Sequence, residues 1–153
     1  LNIFIQGVQG NQIFNATKMD LEGMFDSKNQ STNILDRWQQ PGDITDIPKA
    51  NAAGDGNLDN IHNSTRFVED GSFLRIKSLT LAYNFPTTWL QKVKMQNLSI
   101  YATAQNLLTF TKYSGFDPEV NAYGVNSLGT EFGVDYGTYP QTRQMVFGLN
   151  VTF

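Results

Sequence analysis

The chain has no cysteine, a single histidine and no apolar run longer than a few residues. Without cysteine there is no disulfide framework, no thiolate metal site and no cysteine nucleophile. The lone His62 rules out a histidine-triad metal site, and nothing points to a Ser–His–Asp arrangement, so a solvated loop position is expected for it. The apolar runs fall far short of the roughly 20 residues a membrane helix needs, which removes helical spans and leaves β-spans open. Charge is scarce as well, and a net charge of −3 gives no reason to expect a nucleic-acid partner. The opening at Leu1, with no basic or strongly apolar leader, reads as the start of a fragment.

What is present is β-like and turn-rich: 11 Phe, 6 Tyr and 13 Gly, with many Asn, Thr and Gln, a mixture suited to pleated surfaces joined by turns. Four stretches read as strands, at about 1–14, 67–85, 97–111 and 143–153. In the last, Met145, Phe147, Leu149, Val151 and Phe153 share one face, and Gln144, Gly148, Asn150 and Thr152 the other, with Val146 the exception. In the second, Leu79, Leu81, Tyr83 and Phe85 oppose Ser78, Thr80, Ala82 and Asn84. Arg75 and Lys77 fall on the apolar face at its upstream end, where long cationic side chains could snorkel. The 97–111 stretch alternates less cleanly, and its phase blurs at Asn106, Leu107 and Leu108.

Alternation alone suits a membrane β-strand and a half-buried soluble strand equally. Two further features favour the membrane. Segments 1–14, 78–85, 97–111 and 144–153 contain no Asp, Glu, Lys or Arg, and a lipid-facing Arg or Lys at mid-bilayer costs about 2–4 kcal/mol. The connections also run long (15–66), short (86–96), long (112–142), the rhythm of an outer-membrane barrel with extended extracellular loops and tight periplasmic turns. Trp89, Leu90 and Val93 in the short connection have helical spacing. The expected fold is all-β: an antiparallel transmembrane β-barrel segment with a periplasmic C-terminus, whose two free edges pair with strands outside this chain. Leu79, Leu81, Tyr83, Phe85, Met145, Phe147, Leu149 and Val151 are then lipid-facing.

Chemistry-bearing constellations are few. Asp55, Asn57 and Asp59 have the spacing of a calcium loop, but Asn60 and Arg66 stand where that loop needs Gly and Glu, so no metal is expected. Asp117-Pro118-Glu119 reads as a turn, with Pro fixing φ. With no nucleophile elbow, P-loop or paired-carboxylate site, neither enzyme activity nor a cofactor is expected. Trp38, Tyr113, Phe116, Tyr123, Phe132, Tyr136 and Tyr139 lie in the two long connections. As rings with an apolar body, they are candidates for stacking on a sugar or peptide substrate. The plainer alternative is a small apolar core for the loops, or a face for a docking protein.

The run from Asn63 to Pro86, the Tyr101 to Leu107 stretch, Tyr113-Ser114-Gly115-Phe116-Asp117-Pro118-Glu119-Val120, Tyr139-Pro140 with Arg143, and the Phe147–Phe153 ending occur in one order. Together with Arg37-Trp38, Pro41-Gly42-Asp43, Thr45-Asp46 and Ile47-Pro48, they resemble the near-terminal region of SusC/RagA-type TonB-linked outer-membrane proteins of Bacteroidetes-like bacteria. The resemblance implies about the last four of roughly 22 barrel strands, with the plug domain absent from this chain. It implies import of oligosaccharides or peptides, powered through the TonB complex and covered outside by a SusD-like lipoprotein. The remaining partners would be outer-membrane lipid and the rest of the same barrel and plug. Phe153 resembles the terminal aromatic read by barrel-assembly machinery. A soluble β-sandwich module with an aromatic glycan-binding face is the alternative from another class, and a passive structural barrel a third.

Overall fold

The computed structural model describes residues 1–50, 59–120 and 133–153. In chain order the elements are β1 (Asn2–Val8), β2 (Gln12–Asn15), α1 (Ala16–Glu22), β3 (Val68–Asp70), β4 (Phe73–Asn84), α2 (Thr87–Leu90), β5 (Asn97–Thr111), β6 (Val134–Asp135) and β7 (Gln144–Thr152), joined in places by short 3-10 turns. The chain forms two units, one of residues 1–9, 72–112 and 140–153, the other of residues 10–71 and 113–139.

The first unit is a four-stranded antiparallel sheet in the order β1-β4-β5-β7. Directly opposed residues share a face, so the register sorts the side chains into rows. One face carries Ile3–Leu79–Ala104–Met145, then Leu81–Ala102–Phe147, then Tyr83–Ile100–Leu149, with Leu98 opposite Val151 below them. The other carries Asn2–Thr80–Thr103–Val146, Ala82–Tyr101–Gly148 and Asn84–Ser99–Asn150. Thr80 and Thr103 hydroxyls meet at 3.1 Å, and Asn150 donates to Ser99 Oγ at 3.4 Å. The Tyr101 ring lies over Gly148, where any Cβ would collide with it. Val146 remains the one apolar residue on this polar face of β7, now seen opposite Thr103.

The placement of Arg75 on the apolar face is corrected. A register shift at Lys77 puts one extra residue into β4. Facing it, β5 takes two residues, Asn106 and Leu107, with Asn106 at φ +49°, and this is where the β5 pattern lost its phase. A bulge inverts the side-chain order of everything beyond it. Ile76 therefore aligns with Ile5 and Leu108, and Leu74 with Phe110, which extends the apolar face. Arg75 moves to the polar face opposite Gln6 and Thr109, is only 2% exposed and donates from Nε to Thr109 Oγ1 at 2.8 Å.

The expected strands at 1–14 and 67–85 each divide. The first breaks at Gly10, whose φ of +81° suits a residue without Cβ. Beyond it β2 belongs to the second unit. The 67–85 stretch begins with a 3-10 turn at Thr65–Phe67, β3 then pairs with β2, and only from Phe73 does the chain enter the large sheet. The short connection is a single turn of helix, α2, continued by a 3-10 turn over Gln91–Val93.

The second unit has a small three-stranded sheet, β3-β2-β6, with β2–β3 antiparallel and β2–β6 parallel. Ile13, Tyr113 and Val120 form its core, and Phe67 is buried against Phe14 edge-to-face at 6.3 Å. Asn15 ends β2 and caps α1, its Oδ1 accepting from Lys18 N at 2.8 Å. Charge divides with the fold. Every Asp and Glu lies in the second unit, whereas the first holds only cations: Arg75, Lys77, Lys92, Lys94, Lys112 and Arg143.

Candidate functional site

Among the clefts that the long connections build within the second unit, two are lined by candidate rings. One, about 520 Å³, is lined by Trp38, Asp46, Lys49, His62, Arg66 and neighbouring residues. Trp38 is half-buried there, its backbone N–H donating to Ile47 O at 2.9 Å. His62 and Asp59 stand 3.5 Å apart and are both well exposed, so the pair is solvated. The smaller cleft, about 240 Å³, is lined by Asn15, Thr17, Glu22, Asn33, Phe116, Asp135 and others, with Phe116 76% exposed at its edge.

The polar residues around these clefts are held by one another. Glu22, only 3% exposed, accepts from Arg66 at 3.0 Å and from Asn33 Nδ2 at 3.0 Å. A buried carboxyl group left without partners would cost several kcal/mol, and this double pairing supplies them. Glu69 joins distant segments: Ser114 donates to it from N at 2.9 Å and from Oγ at 2.8 Å, and Lys18 Nζ at 3.1 Å. Burial alone would raise the Glu69 pKa, but the two Ser114 hydrogen bonds and the Lys18 ammonium outweigh it and hold the carboxyl below its ordinary value. Asp135, 1% exposed, accepts from Tyr113 OH at 2.6 Å and from Thr138 N at 3.1 Å. Burial first, and then the Asp135 carboxylate, push the Tyr113 phenol well above its ordinary pKa, so it remains a donor.

The aromatic candidates therefore separate. Tyr113 packs in the core of the unit: it is 6% exposed, and a Cβ on Gly115 would strike its ring. Trp38 and Phe116 each line a cleft, while Tyr136 and Tyr139 are 54% and 82% exposed and line neither. Tyr123 and Phe132, like Asp55 and Asn57, lie outside the described residues. Asp117 accepts from Glu119 N at 2.9 Å, the hydrogen bond of a turn. Glu22, Glu69 and Asp135 went unnoticed in the sequence because their partners lie far away along the chain. Only Asn15, a cap residue before a helix start, left a local signal.

In the first unit, the register brings together residues that had been grouped by alternation. Leu79, Leu81 and Tyr83 share a face with Met145, Phe147, Leu149 and Val151. Phe85 follows β4, its N–H donating to Leu98 O at 3.0 Å and its ring meeting Tyr83 edge-to-face at 5.0 Å. Phe153 is 78% exposed.

No protein-family model matches the chain. Over 155 aligned residues it is 36% identical to TonB-dependent receptor P3 of Formosa agariphila, a match covering all of this chain and 15% of that protein. It is 35% identical over 91 residues to TonB-dependent receptor SusC of Bacteroides thetaiotaomicron, covering 59% of this chain and 8% of that one. Among solved structures, the RagAB peptide transporter superposes with a TM-score of 0.74 at 27% identity, over 99% of this chain and 15% of that chain. The chain thus spans only about 15% of the length of the first two of these full-chain matches.

Proposed function

The chain belongs to the TonB-dependent receptors of the SusC type, and from that premise we propose that it supplies about the last four strands of a roughly 22-stranded outer-membrane importer. The sheet is a stretch of barrel wall, with its apolar face against lipid and its polar face toward the lumen. The clefted connections are extracellular, the short turn is periplasmic, and Phe153 carries the assembly signal. The cargo class is oligosaccharides or peptides. Capture by a SusD-like lipoprotein outside and energy from TonB acting on a plug complete the cycle. Trp38 and Phe116 are the ring contacts best placed to meet cargo or lid.

One observation carries this reading: a sheet without Asp or Glu, whose cations Arg75 and Lys77 sit on the polar face and at the bulge, has one apolar face that stays exposed. Leu81 is 62% and Phe147 77% exposed. A soluble sandwich would need a second sheet over that face, and the described residues of the first unit supply none. The dimensions agree as well. From Leu74 to Phe85 the face runs about 35 Å at roughly 3.3 Å per residue, and a tilt of about 45° reduces this to about 25 Å, the height of an outer-membrane apolar band. Among the described residues both edges, β1 and β7, lack a neighbouring strand, as expected of strands taken from a closed wall.

The test uses the full-length receptor in vesicles, with an environment-sensitive fluorophore attached at Phe147→Cys or at Val146→Cys. Brominated lipid should quench the label at 147 and spare the one at 146. Equal quenching at the two sites would overturn the wall assignment.

A further inference from the structure

We propose that the short β4–β5 connection, residues 86–96, is a docking surface for anionic phospholipid headgroups; the proposal rests on reading the sheet as membrane wall. The connection is a built shape. Leu90 is 4% exposed and anchors α2, Met95 N–H donates back to Leu90 O at 3.1 Å, and Lys94 closes the turn at φ +56°. With the backbone fixed in this way, Trp89 is left 61% exposed, and Lys92 and Lys94 are exposed with it.

Within their own unit those lysines have no carboxylate side chain to pair with. The first unit contains no Asp or Glu side chain. Among the described residues, no ion pair involves Lys92 or Lys94. Two exposed cations on one turn, with no ion pair among the described residues, attract an external anion.

The surroundings say which anion. The apolar face ends on Tyr83 and Phe85, stacked edge-to-face at 5.0 Å, immediately before the turn. Apolar rows, then aromatic rings, then an exposed indole with two ammonium groups is the order of chemistry met on leaving a bilayer through its headgroups. A soluble phosphate would need the cations but not the exposed indole. A lipid needs both, because its acyl chains continue along the apolar face while its phosphodiester sits at the turn. Each lysine near an anionic surface contributes roughly fivefold to binding, so the pair contributes about 25-fold at low salt.

The experiment takes the full-length receptor in nanodiscs of phosphatidylethanolamine, with phosphatidylglycerol titrated in as the probe and its association read by a fluorescent analogue. The K92Q/K94Q variant should weaken phosphatidylglycerol association about 25-fold and K94Q alone about fivefold, whereas K92R/K94R should match wild type. Unchanged association in K92Q/K94Q overturns the proposal, as does displacement of the lipid by an equal concentration of inorganic phosphate. If the double variant does not insert, the single variants carry the measurement. Insertion is followed separately by heat-modifiable migration, so failure of the wild-type protein to insert would count against the membrane wall itself.

Discussion

Replacing Phe147 with Arg places a charge near the middle of the proposed lipid-facing band. Phe147 sits in the row Leu81–Ala102–Phe147, close to midway between Leu74 and Phe85, and is 77% exposed on the apolar face. An Arg at that depth costs about 2–4 kcal/mol, which at about 1.4 kcal/mol per tenfold is roughly 30- to 700-fold in the folding equilibrium. Val146, the adjacent residue, faces the other way, opposite Thr103. On the proposed wall, Arg at 146 points toward the lumen side, where charge is tolerated. Leu149→Arg, two residues nearer the short turn, should fall between the two. The assay is urea unfolding of the full-length receptor in lipid vesicles, read by heat-modifiable migration. A Val146→Arg variant as destabilised as Phe147→Arg would refute the face assignment.

In the second unit, Tyr113→Phe removes the hydrogen bond to Asp135, a residue only 1% exposed. The unsatisfied buried acceptor should cost about 1–3 kcal/mol locally, seen as faster amide exchange at Thr138 and in β2, with Tyr136→Phe as the unaffected control. Glu69, held below its ordinary pKa by Ser114 and Lys18, should make this unit acid-labile. A depressed folded pKa means its stabilisation is complete above the unfolded value near 4.5 and is lost as pH falls through the folded pKa. Protease resistance of the connections should therefore drop below that range, and Glu69→Gln should flatten the drop; an unaltered pH profile in Glu69→Gln would count against it.

Period-two patterning made the large sheet legible wherever each strand keeps one phase, as in β7 and the later half of β4. It misled at Arg75 because a single extra residue at Lys77 inverts the order, and nothing in the local composition marks a bulge. It also ran β1 into β2, since Asn11 to Phe14 continue a β-like composition across the turn at Gly10. The clefts were legible only as a set of rings. Which ring is core and which is exposed depends on pairings such as Tyr113 with Asp135 and Glu69 with Ser114, made between segments that do not neighbour each other along the chain. Sequence spacing carries no record of such contacts.

The bulge at Lys77 sets how this chain can change length. An insertion or deletion of one residue on either side of it turns half a strand over, moving Leu74 and Ile76 to the polar face and Arg75 to the apolar one. Variation in length is then confined to the two long connections, where an added residue alters a cleft and leaves the wall intact. The sheet must keep its residue count while the connections are free to gain and lose sequence, so a cleft can be reshaped without disturbing the register.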